Sequence, residues 1–214
     1  MTPHEYQLET RRTRPAGESK VRALAHYALG LCEEAGELAG VIKKHVFYGQ
    51  PIDRDALIKE AGDVLWYLAS LLDTADVELS GPLNRAMELA KEDEAPPDES
   101  ADDGSEPDRF FGAATDREGW IIYNVYGLLS ECNAPVSYAF ECNRVDSLTA
   151  RDHSKYALYH LYHLLSSFGI TLHEVMAANV AKLRARYPGE GWTANDAAER
   201  KDEAAITKAK GYSQ

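Results

Sequence analysis

The sequence predicts an all-α protein, and three observations support this prediction. Apolar residues recur at three- and four-residue intervals along most of the chain, which is the spacing of one helix face. Residues suited to helix ends flank these segments, with Asp53 before one of them and Tyr187-Pro188-Gly189 after another. No segment shows the alternation of apolar and polar residues that half-buried strands require. We therefore predict a helical bundle.

The first half contains three predicted helices. The apolar pattern covers residues 18–46, and the following Phe47-Tyr48-Gly49-Gln50-Pro51 is predicted to end that helix. Asp53 is placed to cap a second helix, which the pattern extends to about Asp73. A shorter helix is expected over residues 79–91.

An acidic linker is predicted to separate this half from the next. Residues 94–117 are rich in Glu, Asp, Pro, Ser and Gly and contain few apolar residues. Nine acids and no base lie between Glu92 and Asp108, so this segment carries most of the net charge of −12. We therefore predict a first half over 1–93, a flexible linker over 94–117 and a second half over 118–214. No large basic block exists elsewhere, which argues against a nucleic-acid partner.

The second half is also predicted to be helical, over residues 120–140, 155–168 and 172–186, with a charged tail from Ala194. Its pattern aligns with that of the first half, so we predict an internal duplication. Gly30 aligns with Gly127 at an offset of 97, and residues 64–72 align with 157–165 at an offset of 93. A chance match between two amphipathic hairpins is the alternative.

Two acidic clusters in the first half point to chemistry. Glu33, Glu34 and Glu37 are followed, after a spacer of 22 residues, by Glu60 and Asp63. Residues three or four apart share a helix face, so two facing helices would bring these carboxylates together. Like charges at about 4 Å repel by about 4 kcal/mol at an effective dielectric near 20, which favours a bound hard cation such as Mg²⁺. A solvated helix face is the alternative.

The alignment of the halves predicts one such site in each chain. Only one of the five acids has an acidic counterpart in the second half, so the apolar scaffold is kept while the charge is lost. The counterparts of Glu33, Glu34, Glu37, Glu60 and Asp63 are, in order, Ser130, Glu131, Ala134, His153 and Tyr156.

These motifs resemble the MazG-like all-α nucleoside triphosphate pyrophosphohydrolases, whose signature is E-E-x-x-E followed by E-x-x-D. The sequence N-V-A-K-L-R-A-R-Y-P over 179–188 is similar to the family's last helix, and E-Y-Q-L-E-T-R-R-T over 5–13 to its first. The resemblance implies an internal pseudo-dimer of helical hairpins with one active half, as in the related dimeric dUTPases. Whether chains associate further, as a homodimer or a higher homo-oligomer, is left open.

The resemblance also implies an activity. It is the hydrolysis of a (deoxy)nucleoside triphosphate between the α- and β-phosphates, with Mg²⁺ as cofactor and Mn²⁺ as a substitute. The motif assigns Glu34, Glu37, Glu60 and Asp63 as metal ligands, and Glu33 as the residue that positions or deprotonates the attacking water. The candidate substrate-binding residues are Lys44, Tyr67, Asn179, Lys182, Arg186 and Tyr187.

Two other functions are open at this point. One is a non-catalytic nucleotide-binding or protein-interaction helical module, and the other is a carboxylate-bridged di-iron bundle, although the E-x-x-H pairs of such bundles are missing. The three cysteines, Cys32, Cys132 and Cys142, lack metal-binding or disulfide spacing and are expected to be reduced thiols. With no signal-peptide core and no long apolar run, we expect a soluble, cytoplasmic protein without a membrane partner.

Overall fold

The computed structural model describes residues 1–92, 117–141, 147–189, 191–193 and 197. This part of the chain contains seven helices and no strand, which confirms the all-α prediction. None of its helices is both long and apolar enough to cross a membrane. The predicted linker up to residue 116, Cys142 and most of the predicted tail lie outside the described residues. The helices are α1 (Pro3–Arg12), α2 (Lys20–Tyr48), α3 (Arg54–Thr74), α4 (Ser80–Ala90), α5 (Arg117–Glu141), α6 (Ser147–Ser166) and α7 (Leu172–Arg186).

The helix ends follow local chemistry. Asp53 accepts a hydrogen bond from the Ala56 amide at 3.0 Å, which confirms the predicted cap of α3. The end predicted for α2 is wrong by two residues, because Phe47 and Tyr48 continue the helix. The helix stops at Gly49, whose φ of 63° is a left-handed conformation that glycine adopts without strain.

The predicted start of α6 is also wrong, because the helix begins eight residues earlier than residue 155. Its first two turns carry mostly polar side chains, so they show little apolar pattern. Ala150 and Ser154, four positions apart, nevertheless lie buried on the core side of these turns. Small residues at helical spacing therefore pack this part of α6 against the core.

Two hairpins, α2–α3 and α5–α6, form the centre of the bundle, with α2 packed along α5. The third helix of each half crosses to the other hairpin, since α4 packs on α6 and α7 packs on α3. Helix α1 lies on α3 and also touches α4 and α7. Leucine is the commonest residue of the shared core, and the leucines with no exposed surface include Leu31, Leu38, Leu71, Leu158 and Leu164.

The two hairpins show the same close approach at positions that the alignment makes equivalent. A Cβ added at Gly30 would lie 2.1 Å from a ring carbon of Tyr67, and one added at Gly127 would lie 2.3 Å from the ring of His160. In each hairpin, therefore, a glycine on the first helix makes room for a ring on the second. This likeness supports the duplication, which stays a prediction, as do the domain boundaries.

Candidate metal and substrate site

The acidic residues of α2 and α3 lie where these two helices face each other. Ala35 on α2 and Ala61 on α3 are fully buried, so the backbones approach closely beside the acids. Glu34, Glu37 and Glu60 each place a carboxylate oxygen within 4.8 Å of the other two. The structure thus brings together three of the four acids predicted as metal ligands.

The position of these glutamates disfavours the ionised form of their carboxylates. Burial, followed by the charges of Asp63, Glu37 and Glu60, raises the pKa of Glu34 to about 7. Burial also raises the pKa of Glu60, against the opposing effect of Lys59. A cation placed among these oxygens would offset the repulsion between the carboxylates.

The donor set fits a hard divalent cation. Oxygen atoms bound to one Mg²⁺ at about 2.0–2.1 Å lie roughly 3–4 Å apart. The three glutamates are within 4.8 Å, so small side-chain rotations suffice to bring them to that spacing. The cluster found among the described residues contains no histidine, unlike the E-x-x-H pairs of the di-iron alternative.

Two lysines lie on the α3 side of the cluster. The Nζ atom of Lys59 is 2.8 Å from both carboxylate oxygens of Glu60 and 3.6 Å from Oδ2 of Asp63. Lys182, which comes from α7, forms an ion pair with Oδ1 of Asp63. The predicted phosphate ligand Lys182 therefore contacts a predicted metal ligand directly. A helix of the predicted second half thus reaches the acidic residues of the first.

Asn179 lies one turn before Lys182 and is 3% exposed. Its Nδ2 atom is 3.4 Å from Oδ1 of Asp63, and its Oδ1 atom accepts a hydrogen bond from the Tyr6 hydroxyl at 2.9 Å. Asp63 is thus held by two residues of α7, and α1 holds one of those two. The sequence predicted Asn179 as a substrate contact, whereas here its amide is occupied by protein groups.

Tyr67 lies one turn after Asp63, with its ring over Gly30. Burial, followed by the charges of Glu34 and Glu33, raises the pKa of Tyr67 to about 12. The phenol therefore stays protonated next to the acids and can donate a hydrogen bond. Tyr187 is a further, smaller cause of the raised pKa of Tyr67, and its own side chain is 7% exposed.

The remaining predicted residues lie at the edge of the cluster or away from it. Glu33 is exposed, on the neighbouring face of α2, and is not among the three clustered acids. Lys44 is exposed and seven residues beyond Glu37, about 10 Å along the helix axis. Arg186 is partly buried in the last turn of α7, four residues after Lys182.

The second hairpin has a hydrogen-bonded histidine and glutamate where the first has its acids. Nδ1 of His153 lies 2.7 Å from Oε2 of Glu131, and the alignment makes these residues the counterparts of Glu60 and Glu34. Close to them, the Lys155 ammonium lies 4.3 Å from the centre of the Tyr156 ring. A histidine and a lysine therefore lie in the region that corresponds to the acidic cluster.

Sequence reasoning missed Tyr6, Lys59 and Arg12. The contact of Lys59 with Asp63 could have been predicted, because residues four positions apart share a helix face. Arg12 donates from Nη1 to the carbonyls of Tyr187, at 3.0 Å, and Gly189, at 3.2 Å, and so holds the chain that follows α7. Neither this contact nor that of Tyr6 has a local sequence signal, because each joins segments more than 170 residues apart.

Comparisons with known proteins found one matching family model and one curated relative. The family model of the MazG nucleotide pyrophosphohydrolase domain matches residues 22–91, which include nearly all of α2 together with α3 and α4. The Gene 37 protein of Mycobacterium phage L5 is 39% identical over 71 residues, a match covering 31% of this chain and 62% of that protein. The chain thus spans less than two thirds of the length of this relative. No solved structure gave a significant match. The family model thus matches the part of the chain that carries the acidic motif, in agreement with the resemblance to the MazG-like superfamily.

Proposed function

We propose that the chain is a Mg²⁺-dependent nucleoside triphosphate pyrophosphohydrolase that converts a (deoxy)nucleoside triphosphate and water into the monophosphate and pyrophosphate. The observation that carries the proposal is the convergence of Glu34, Glu37 and Glu60 within 4.8 Å, inside a MazG domain. Mn²⁺ is expected to substitute for Mg²⁺, because both accept carboxylate oxygens.

Each acid has a role in this proposal. Glu34, Glu37 and Glu60, together with Asp63, would hold the metal. Bound Mg²⁺ would supply neutralisation of phosphate charge and a lowered pKa for the attacking water. Glu33, exposed on the neighbouring face of α2, is free of the cluster and is proposed to accept the proton of that water.

The lysines supply the positive charge that a triphosphate needs. Lys59 and Lys182 are held on Glu60 and Asp63, so the site already carries two ammonium groups at its edge. When a metal takes over the charge of these carboxylates, the lysines can turn their donors to phosphate oxygens. Tyr67 can add a neutral donor, since its phenol stays protonated.

The test is a turnover assay on the full chain. We expect pyrophosphate and the monophosphate to form in equal amounts from at least one member of a panel of standard and modified triphosphates, with Mg²⁺ or Mn²⁺ and not with EDTA. Glu37→Gln should abolish turnover without changing the helical circular dichroism, whereas Glu88→Gln on the surface of α4 should change neither. A folded protein that cleaves no triphosphate in such a panel would rule out the proposal.

A second candidate function is metal-independent nucleotide binding without catalysis. It is favoured by one observation, that Lys59 and Lys182 already offset part of the carboxylate charge without a metal. It predicts nucleotide binding in EDTA that matches the binding in Mg²⁺, measured by calorimetry. The first candidate predicts that EDTA weakens nucleotide binding strongly.

A further inference from the structure

Tyr6 of α1 is fully buried, although its phenol carries a polar hydroxyl. The hydroxyl lies 2.9 Å from Oδ1 of Asn179 and 3.4 Å from the carbonyl oxygen of Gly62. Burial raises the pKa of Tyr6 well above its ordinary value, so the phenol stays protonated and donates a hydrogen bond. Through this one group, α1 is joined to both α3 and α7.

The hydrogen bond from Tyr6 decides which way the Asn179 amide points. With its oxygen on Tyr6, the amide presents Nδ2 to Oδ1 of Asp63 at 3.4 Å. A flipped amide would set its oxygen against the Asp63 carboxylate, and two acceptors repel each other. Tyr6 and Asp63 therefore select the same orientation from opposite sides.

Packing leaves the Asn179 side chain little room for any other arrangement. Asn179 is 3% exposed, and a Cβ added at Gly62 would lie 3.0 Å from both its Cβ and its Nδ2 atoms. The absence of a side chain at position 62 is what lets α7 come this close to α3. Tyr6 and Asn179 both lie outside residues 22–91, so the family match does not include them.

We propose that Tyr6 is a positioning residue of the site: by fixing the Asn179 amide, it holds the Asp63 carboxylate in the orientation that receives a divalent cation. The inference rests on the proposed function, in which Asp63 is a metal ligand. Residues that orient metal ligands without touching the metal typically contribute about 10–100-fold to metal affinity or activity. Tyr6 is assigned that role indirectly, because it contacts Asn179 and Asn179 contacts Asp63.

The direct test is Mn²⁺ binding to the full chain without nucleotide, followed through the electron paramagnetic resonance signal of free Mn²⁺. We expect Tyr6→Phe, which removes only the hydroxyl, to weaken Mn²⁺ binding by about tenfold. The matched control is Tyr27→Phe on α2, because Tyr27 is 2% exposed and packs against Arg14 and Trp66 instead of the acids. Unchanged Mn²⁺ binding in Tyr6→Phe, or an equal loss in the control, would overturn the proposal.

A double-mutant cycle separates positioning from general stability. Asn179→Ala should weaken Mn²⁺ binding to the same degree, and adding Tyr6→Phe to that variant should cause no further loss. If the two losses multiply, Tyr6 does not act through Asn179 and the inference is wrong. If Asn179→Ala binds Mn²⁺ as the parent chain does, the inference also fails, whether or not Tyr6→Phe folds.

The same variants distinguish this inference from the proposed function. A parent chain that turns over triphosphate while Tyr6→Phe matches Tyr27→Phe contradicts the role of Tyr6 alone. A parent chain that binds Mn²⁺ but cleaves nothing contradicts the proposed hydrolysis, and the affinities still decide the role of Tyr6. A folded parent chain that binds no Mn²⁺ contradicts both.

Discussion

Lys182 of α7 forms an ion pair with Asp63 of α3, although 119 positions separate the two residues in sequence. Both side chains are largely shielded, with 12% and 15% of their surfaces exposed. The contact joins the last helix of the second half to the acidic motif of the first. It also means that the cation proposed for phosphate binding already lies at the edge of the proposed metal site.

Replacing Lys182 should therefore lower kcat/KM for the nucleotide and raise the affinity for the metal. Lys182→Met keeps the length of the side chain but removes a charged donor, and such donors contribute about 1.5–3 kcal/mol to hydrogen bonds. We expect kcat/KM to fall by roughly 10–100-fold, while Mn²⁺ alone binds more tightly because a competing cation is gone. Steady-state kinetics and calorimetry measure the two effects.

The control for this prediction is Arg184→Met on the same helix. Arg184 pairs with Glu9 and is 65% exposed, so its loss should leave both measurements near the parent values. If Lys182→Met lowered metal affinity instead of raising it, Lys182 would support the carboxylate cluster and not compete with the cation.

Metal-free protein should lose stability as pH rises. The pKa of Glu34 is about 7 in the folded chain against an ordinary value of 4.5, so between these values the folded state binds more protons than the unfolded state. Stability should therefore fall from about pH 4.5 to about pH 7, by about 1–3 kcal/mol, and then level off. The raised pKa of Glu60 acts in the same direction. Thermal unfolding in EDTA at several pH values measures the loss.

Glu34→Gln serves as the control for this pH dependence, because it cannot ionise and should show a flatter profile. Mg²⁺ should reduce the loss in the parent chain, since the charged carboxylates then have a cation partner. An identical pH profile for the parent and Glu34→Gln would show that Glu34 does not titrate in this range.

Only the first hairpin should support turnover and metal binding. Glu34→Gln is expected to abolish turnover, whereas Glu131→Gln, the matched change in the second hairpin, should leave kcat and KM nearly unchanged. The physical reason is that Glu131 is already paired with His153 at 2.7 Å. Equal losses of activity in the two variants would instead show that both hairpins contribute acids to catalysis.

Two glycines of α2 offer a test of the packing between α2 and α3. Gly30→Ala would place a methyl group 2.1 Å from the Tyr67 ring, so we expect a loss of about 1–3 kcal/mol in unfolding free energy. Gly36→Ala meets nothing within 4 Å and should stabilise α2 by about 0.5–1 kcal/mol. Chemical denaturation measures both. Gly127→Ala, next to His160, should behave like Gly30→Ala if the hairpins are equivalent.

Local features of the fold were predictable from the sequence. The cap at Asp53 depends on a contact three residues away, and the spacing of Glu34 and Glu37 depends on one helical turn. The start of α6 was missed because its buried positions are Ala150 and Ser154, which give a weak hydrophobic signal. At the start of α6, pattern reasoning therefore failed because small residues make the contact.

The sequence by itself determined the all-α class, the acidic motif and, through that motif, the resemblance to the MazG-like superfamily, with which the family match over residues 22–91 agrees. Only the tertiary structure decided that α7 packs on α3, and thus that Lys182 and Asn179 meet Asp63 and that Tyr6 reaches Asn179. The physical reason is that helix formation and motif spacing depend on neighbours within a turn or two. The pairing of helices depends on the fit of apolar faces whose compositions are nearly alike. It also depends on close approaches such as that between Gly62 and Asn179. No local sequence pattern specifies either.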